Sequence, residues 1–470
     1  MDEPTLLFPD TDLDLSFTST TTDRTSARTS LARTSSLTLS FSDRLSTAAE
    51  TTSSTAIHRR PHRSSDPKWS AINAATTLSS DGRLHLRHLK LLRHLGSGNL
   101  GRVFLCRLRD FDGAHFALKV VDKDLLSPKK LSHAETEARI LHALDHPFLP
   151  TLYARIDVSH YTCLLIDYCP GGDLHSLLRK HPNHRLPLPA ARFFAAEVLL
   201  ALEYLHALGI IYRDLKPENV LLREDGHVML SDFDLCFKSD VAPSLTLRAH
   251  TSPRTGPSNG CFSYNGRERF TAEFVAEPVT AFSRSCVGTH EYLAPELVSG
   301  NGHGNGVDWW AFGVFIYELL YGTTPFKGCS KEGTLRNIAS SKEVRFCHVA
   351  EREEPGMAEA KELIEKLLVK DPRKRLGCAK GATEVKRHPF FDGIKWPLIR
   401  TYRPPEVKGV TRRNKSHVSS HMGGHVSCKR KRWWWKRLGH VVRSKGSKYN
   451  LFSNFSNNNY YQYVDNSKDR

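Results

Sequence analysis

The stretch Ile210-Ile211-Tyr212-Arg213-Asp214-Leu215-Lys216-Pro217-Glu218-Asn219-Val220-Leu221-Leu222 constrains this chain more than any other. Apolar runs lead in and out, and five charged or amide side chains stand between them. That pattern suits a loop held between two buried elements, with its polar side chains gathered at a cleft. Asp214 can accept a proton from a hydroxyl, and Lys216 can neutralise phosphate charge. Asn219 and the nearby Asp232 offer the oxygen ligands that magnesium prefers. These are the parts needed to move a phosphoryl group, a reaction catalysed mainly by positioning and charge stabilisation. A charged surface loop between two core segments is the bland alternative. It suits a lone Arg-Asp pair better than the full thirteen-residue spacing.

At 470 residues the chain can bury a large core and hold two or three compact units. Its formal net charge of +17 is unevenly placed. Residues 408–470 contain 15 Lys or Arg against 2 Asp or Glu, a net +13, which leaves +4 for the other 407 residues. The basicity therefore concerns the partners of a tail and not the fold. The ten cysteines include no Cys-x-x-Cys pair, which argues against a disulfide framework or zinc cluster and suits a reducing interior. The opening residues lack the apolar core of a secretory signal. Their Ser and Arg content hints at a transit peptide, and Asp10, Asp12 and Asp14 weaken that reading. The longest apolar stretch, Phe193 to Tyr212, is interrupted by Glu197, Glu203 and His206, and reads as a core helix rather than a membrane span.

Residues 1 to about 84 are rich in Ser and Thr and poor in large apolar side chains. Such a segment buries too little surface to offset its ordering entropy, so it is expected to be mostly disordered. Arg24-Thr25-Ser26, Arg28-Thr29-Ser30 and Arg33-Thr34-Ser35 form a small repeat, either plain low-complexity chain or a row of phosphorylation sites. From His88 the texture changes. Residues 89–95 and 102–108 read as strands joined through Gly96-Ser97-Gly98-Asn99-Leu100-Gly101. Glycine lets backbone amides approach phosphate closely. Dinucleotide-binding folds use the same spacing between a strand and a helix; here a second strand follows, so the glycines cap a hairpin. A third strand, His115 to Val121, reads as buried at every position but Lys119, and a lysine there needs a partner. A helix is expected over Leu131 to Leu144. Pro170-Gly171-Gly172-Asp173-Leu174 turns into another, with Asp173 near its start. Residues 239 to about 283, rich in Ser, Thr, Gly and Arg, look like a disordered insertion. Further helices are expected from Val307 to about Tyr321 and from Ala358 to Val369.

The central stretch resembles the catalytic loop of protein kinases, with Tyr212-Arg213-Asp214 in place of the commoner His-Arg-Asp. Kinase-like motifs follow in order across residues 89–391. Tyr-Arg-Asp-Leu-Lys-Pro-Glu-Asn, Gly288-Thr289-His290-Glu291-Tyr292-Leu293-Ala294-Pro295-Glu296 and Arg403-Pro404-Pro405-Glu406 resemble the AGC group of serine/threonine kinases. Asp232-Phe233-Asp234, together with the insertion before Ser285, is similar to the plant AGC VIII class. The head, with residues 11–19, resembles WAG kinases of the PINOID branch.

The resemblance implies an α+β, two-lobed kinase fold with a small β-rich lobe, a large helical lobe, disordered tails and an activation-segment insertion. It implies three regions: a Ser/Thr-rich tail (1–84), the kinase domain (89–391) and a C-terminal extension (392–470). It implies ATP held by Leu95, Gly96, Ser97, Gly98, Asn99, Leu100, Gly101, Arg102 and Val103, by a Lys119–Glu137 ion pair, and by the hinge at Asp167 and Cys169. Mg²⁺ then falls to Asn219 and Asp232, and catalysis to Asp214, Lys216 and Asn219. Asp234 replaces the usual glycine, and Asp tolerates a positive φ there. Glu296 is expected to pair with Arg375, and Asp308 to steady the catalytic loop. Ser285 is the implied activation phosphosite, gripped by Arg213 and phosphorylated by a 3-phosphoinositide-dependent kinase. Asp173, Glu218 and Glu318 are the implied readers of substrate arginine, and PIN-type auxin efflux carriers the implied substrates. Two other classes stay open: a pseudokinase scaffold, supported by Asp234 alone, and a nucleic-acid binder acting through the tail, which lacks the look of a folded aromatic platform. The segment Lys429-Arg430-Lys431-Arg432-Trp433-Trp434-Trp435-Lys436-Arg437 reads as an anchor for an anionic membrane surface, as a nuclear import signal, or as part of a tail docking through Phe452-x-x-Phe455. The expected location is the cytoplasm and the cytoplasmic face of the plasma membrane, with a nuclear pool as the other option.

Overall fold

Alternating apolar residues between Leu89 and Asp167 build the small lobe. The computed structural model describes residues 66–241, 243–250, 269–340, 343–346 and 354–406. Strands β1 (Leu89–Ser97), β2 (Arg102–Leu108), β3 (Phe111–Asp122), β4 (Leu152–Val158) and β5 (Tyr161–Asp167) form one antiparallel sheet in the order β1-β2-β3-β5-β4. One face buries Leu89, Cys106, Phe116, Leu118 and Leu165.

The helix α1 (Pro67–Thr77) covers that face, and it corrects the expectation of a head disordered to residue 84. Asp66 caps it by accepting from the Lys68 amide at 3.0 Å, and Pro67 opens its first turn. Ala71 and Ile72 are buried in the small-lobe core, and Trp69 lies 5.2 Å from the Tyr153 ring. A short helix with so few apolar residues gains its stability from the sheet it packs on, so its own sequence announces it weakly. Residues 1–65, with the Arg-Thr-Ser repeats, lie outside the described residues. On the other side of the sheet runs α2 (Pro128–Ala143), capped by Ser127, with Glu137 buried on its inner face.

The large lobe is helical: α3 (Leu174–Lys180), α4 (Leu188–Ala207), α5 (Pro295–Val298), α6 (Gly306–Tyr321), α7 (Lys331–Ala339), α8 (Met357–Leu367) and α9 (Ala382–Val385). Its centre is the packing of α4 and α8 on α6, which buries Trp309, Trp310, Phe312 and Phe315. A helix apolar on nearly every face is a core helix. The charged interruptions of α4 are all partnered: Glu197 accepts from the Val228 amide at 2.8 Å, Glu203 pairs with Lys386 at 2.7 Å, and His206 sits between two carboxylates. Among the described residues no helix is long and apolar enough to cross a membrane.

Two small ribbons hold the polar loop. Strand β6 (Ile210–Ile211) pairs with β9 (Phe237–Lys238), and β7 (Val220–Leu222) pairs with β8 (Val228–Leu230). The described parts of the insertion are paired, where disorder was expected. Strands β10 (Ser244–His250) and β11 (Arg269–Val275) make an antiparallel hairpin in register from Ser244↔Val275 to His250↔Arg269. Cross-strand backbone pairing supplies the order that composition did not suggest. The C-terminal extension is described as far as Glu406. The basic, Trp-rich tail and Phe452 and Phe455 lie outside the described residues.

Candidate active site

Three carboxylates and two lysines converge where the lobes meet. Lys119, on β3, donates to both carboxylate oxygens of Glu137 at 2.7 Å and to Asp232 at 3.2 Å. The strand was read as apolar and buried at every position but Lys119, which was expected to pair with Glu137. Lys119 is itself buried at 8 % exposure, and His115 is the exposed position. Burial opposes charge on the ammonium, but Glu137 and Asp232 more than offset that and raise its pKa. Val103 on β2 stands opposite Lys119 in the register, on the same face of the sheet.

In the catalytic loop, Asp214 is nearly buried and its carboxylate is held from three directions. Oδ2 accepts from Lys216 Nζ at 2.8 Å and Asn219 Nδ2 at 2.9 Å, and Oδ1 accepts from the Thr289 hydroxyl at 3.0 Å. Lys216 also donates to Thr289 at 2.8 Å. Thr289 was not singled out from the sequence. Its signal was the Gly288-Thr289-x-Glu-Tyr string, whose threonine comes to the loop from 75 residues away.

The backbone beneath is fixed by Asp308 on α6, which accepts from the amides of Tyr212 and Arg213 at 2.8 Å each. Arg213 is held at φ +67°, a left-handed conformation rare for a side chain of its size. Asp308 also faces His206 Nε2 at 2.8 Å, and Glu277 faces His206 Nδ1 at 2.8 Å. Burial opposes charge on His206, yet Glu277 first and Asp308 next lift its pKa to about 10. Glu296 and Arg375 form the expected buried pair, at 2.7 and 2.9 Å.

Asp tolerates a positive φ, but Asp234 does not adopt one. The left-handed residue of that segment is Asp232, at φ +58°. Asp234 is 5 % exposed, and burial, followed by the charge of Asp232, pushes its carboxyl up to about 6. Phe233 is buried against Tyr212, with ring centroids 5.5 Å apart.

The glycine hairpin closes through Gly98 N–H donating to Gly101 O at 2.8 Å. A Cβ on Gly101 would stand 2.2 Å from Val120 O, so the turn packs down on β3 only because glycine is there. The side chain of Leu100 is buried with Val121 and Ala134. At the hinge, the Asp167 carboxylate turns into the small lobe, accepting from the Thr151 amide at 3.0 Å and Lys68 Nζ at 3.1 Å. Cys169 lies 3.9 Å from the Met229 sulfur, and burial pushes its thiol up to about 12.

Of the three expected arginine readers, two come together. Burial and then the Glu218 charge raise the Glu318 carboxyl, which also accepts from Tyr292 OH. Glu218 is half exposed and 3.2 Å from His175 Nδ1. Asp173 is occupied elsewhere: it caps α3, accepting from Ser176 N at 2.6 Å and Ser176 Oγ at 2.9 Å. The Arg213–Ser285 contact is not formed. Arg213 reaches Leu235 O at 2.6 Å and the Ser283 hydroxyl at 3.3 Å, because a backbone bridge to His303 lays Ser283 beside it. Ser285 is exposed, and its amide donates to Ser283 Oγ at 3.3 Å.

A carboxylate braced by a lysine at the second position and an asparagine at the fifth, facing a buried Lys–Glu pair across two lobes, is an arrangement built for phosphoryl transfer. The Protein kinase domain family model matches residues 89–256 and 270–391, and the chain belongs to the protein kinase family. Its relatives place it within that family. It is 67% identical to Serine/threonine-protein kinase WAG1 of Arabidopsis thaliana, over 97% of this chain and 98% of that one. It is 65% identical to WAG2 of the same plant, over 99% and 98%. Protein kinase PINOID of Oryza sativa subsp. japonica is 50% identical over 81% and 83%. The chain is thus a serine/threonine protein kinase of the WAG and PINOID branch, an enzyme acting on protein substrates. Protein kinases generally use ATP and Mg²⁺.

Proposed function

We propose that this chain transfers the γ-phosphoryl group of ATP to serine and threonine in basic sequence contexts, with Asp214 accepting the hydroxyl proton. The observation carrying this is the threefold bracing of the Asp214 carboxylate beside a formed Lys119–Glu137 pair. Lys216 stands by the same carboxylate, placed to neutralise charge on the phosphoryl group. The donor set fits magnesium: Asn219 spends its amide nitrogen on Asp214, which leaves the amide oxygen, and the Asp232 carboxylate is 37% exposed. Bound Mg²⁺ supplies neutralisation of the phosphate charge. The pseudokinase alternative finds no support beside these relatives.

Glu218 and Glu318 read arginine ahead of the target residue, through carboxylate–guanidinium pairing. By likeness to the WAG and PINOID kinases, the substrates include cytosolic loops of PIN-type auxin efflux carriers, and the role is control of auxin transport. The test is purified chain with ATP-Mg²⁺ and such a loop, with phosphosites mapped. Phosphorylation at arginine-preceded serines is expected. A peptide-library profile indifferent to arginine would reject the Glu218–Glu318 assignment.

Ser285 is the activation phosphosite in this reading, with a 3-phosphoinositide-dependent kinase upstream. Phosphate there adds charge and oxygens that draw Arg213 from Ser283. Ser285→Ala is expected to depress turnover; full activity of phosphatase-treated wild type sinks this assignment. The composition of the tail supports a location on the cytoplasmic face of the plasma membrane, because indoles favour the interface and each Lys or Arg gains about 1 kcal/mol from anionic lipid. Changing Trp433, Trp434 and Trp435 to Ala is expected to weaken binding to anionic vesicles. Unchanged binding leaves an electrostatic or nuclear import element instead.

A further inference from the structure

We propose that Glu277, at the root of the insertion hairpin, is a positioning residue for the catalytic loop, acting through His206 and Asp308. Glu277 lies two residues past the end of β11 and is 5 % exposed. Its Oε2 faces His206 Nδ1 at 2.8 Å and accepts from Asn305 Nδ2 at 2.8 Å. The far nitrogen of the same ring faces Asp308 Oδ2 at 2.8 Å, and Asp308 holds the amides of Tyr212 and Arg213. One unbroken chain of short contacts therefore runs from the insertion to the residue preceding Asp214. Its three side chains, at 5 %, 0 % and 0 % exposure, have no water to turn to.

Both nitrogens of His206 face carboxylate oxygens, so the ring is a cation between two anions. That arrangement fixes the ring from both sides and leaves Asp308 in one orientation. Nor is Glu277 free to retreat. A Cβ on Gly381 would stand 1.9 Å from Glu277 Oε1, so the second oxygen is wedged against the Gly381 backbone, at φ +61°. The catalytic loop needs such bracing, because Arg213 is held in a left-handed conformation that costs energy unless its surroundings enforce it. Past Glu277 the chain runs to Ser283, which bridges to His303 beside the Arg213 guanidinium. The stem of the insertion thus reaches the loop by two routes, indirectly from Glu277 through His206 and Asp308, and directly through Ser283 against Arg213.

A buried loop staple that only adds stability would use the same contacts, so the test needs a readout that a staple does not move. The proposal rests on the phosphoryl-transfer reading of the loop, which wild-type activity itself tests. The full chain is assayed as wild type, Glu277→Ala and Glu277→Gln, with kcat and the KM for ATP and for an arginine-containing peptide measured separately. Hydrogen exchange is followed in the segment 210–216. Glu277→Ala is expected to lower kcat by roughly ten- to a hundredfold with both KM values within about twofold, the signature of a displaced catalytic group. Exchange of the Tyr212 and Arg213 amides is expected to quicken. Glu277→Gln keeps shape and a hydrogen bond but not charge, so it guards against a variant that fails to fold; a smaller loss in the same direction is expected. An active wild type whose variants melt earlier yet keep kcat and amide protection overturns the proposal, and Glu277 is then a staple only. An inactive wild type instead overturns the catalytic reading beneath it.

Discussion

Replacing Asp214 with Asn is expected to lower turnover by several orders of magnitude while leaving nucleotide affinity nearly unchanged. Two losses combine. The amide cannot accept the hydroxyl proton, and a general base contributes on the order of 10²–10⁴-fold. The substitution also disturbs a preorganised charge. The carboxylate takes donors from Lys216 and Asn219 on one oxygen and Thr289 on the other. An amide NH₂ offers no acceptor, so either the Lys216 ammonium or the Thr289 hydroxyl loses its acceptor. Preorganised charge in a water-poor site is worth far more than the same charge in water. The Lys119–Glu137 pair lies apart from this bracing, so ATP affinity is the internal control. Purified variant and wild type, compared by phosphate transfer to a peptide and by nucleotide titration, decide it. Near-normal transfer by the variant assigns the measured activity to a contaminating kinase.

How far the site could be read from sequence follows from where each contact's partner lies. Asp214, Lys216 and Asn219 sit within one loop, and phosphoryl-transfer chemistry fixes their spacing, so they were legible together. Lys119 was legible as an anomaly in an apolar strand, but its burial depended on Glu137 and Asp232, far along the chain. Glu277 gave no local sign. Its partners His206 and Asn305 are 71 and 28 residues away, and only folding makes a buried carboxylate of what reads as one acid in a polar insertion. Helix α1 was missed for the same kind of reason: its stability comes from the sheet beneath Ile72, not from its own periodicity. The insertion hairpin was missed because strand pairing is a property of two segments, and composition reports on one at a time. Ser283 gave no sign either, since its place beside Arg213 is set by a backbone bridge to His303 that no motif encodes.

Breaking the Glu296–Arg375 pair is expected to produce a large loss of stability in the large lobe. The Arg375 side chain is 0% exposed and that of Glu296 9%. Removing one partner of a buried pair costs about 3–5 kcal/mol, because the other is left charged without water. For a domain of this size that corresponds to a fall in Tm on the order of 10 °C. The order among variants is the sharper expectation. Arg375 also donates to the carbonyls of Val369 at 3.0 Å, Gly306 at 2.8 Å and Lys370 at 3.3 Å, and its guanidinium carbon lies 5.1 Å from the Trp310 ring. Arg375→Met therefore strands a carboxylate and three carbonyls at once. Glu296→Ala strands only the guanidinium, which keeps its carbonyl partners. Glu296→Gln keeps an amide oxygen for one arm of the fork and loses least. Loss of Tm should follow Arg375→Met, then Glu296→Ala, then Glu296→Gln. Thermal melts of the three variants test this. If Glu296→Ala melts below Arg375→Met, the uncompensated guanidinium charge outweighs the stranded carbonyls, and the backbone anchoring assigned to Arg375 is wrong.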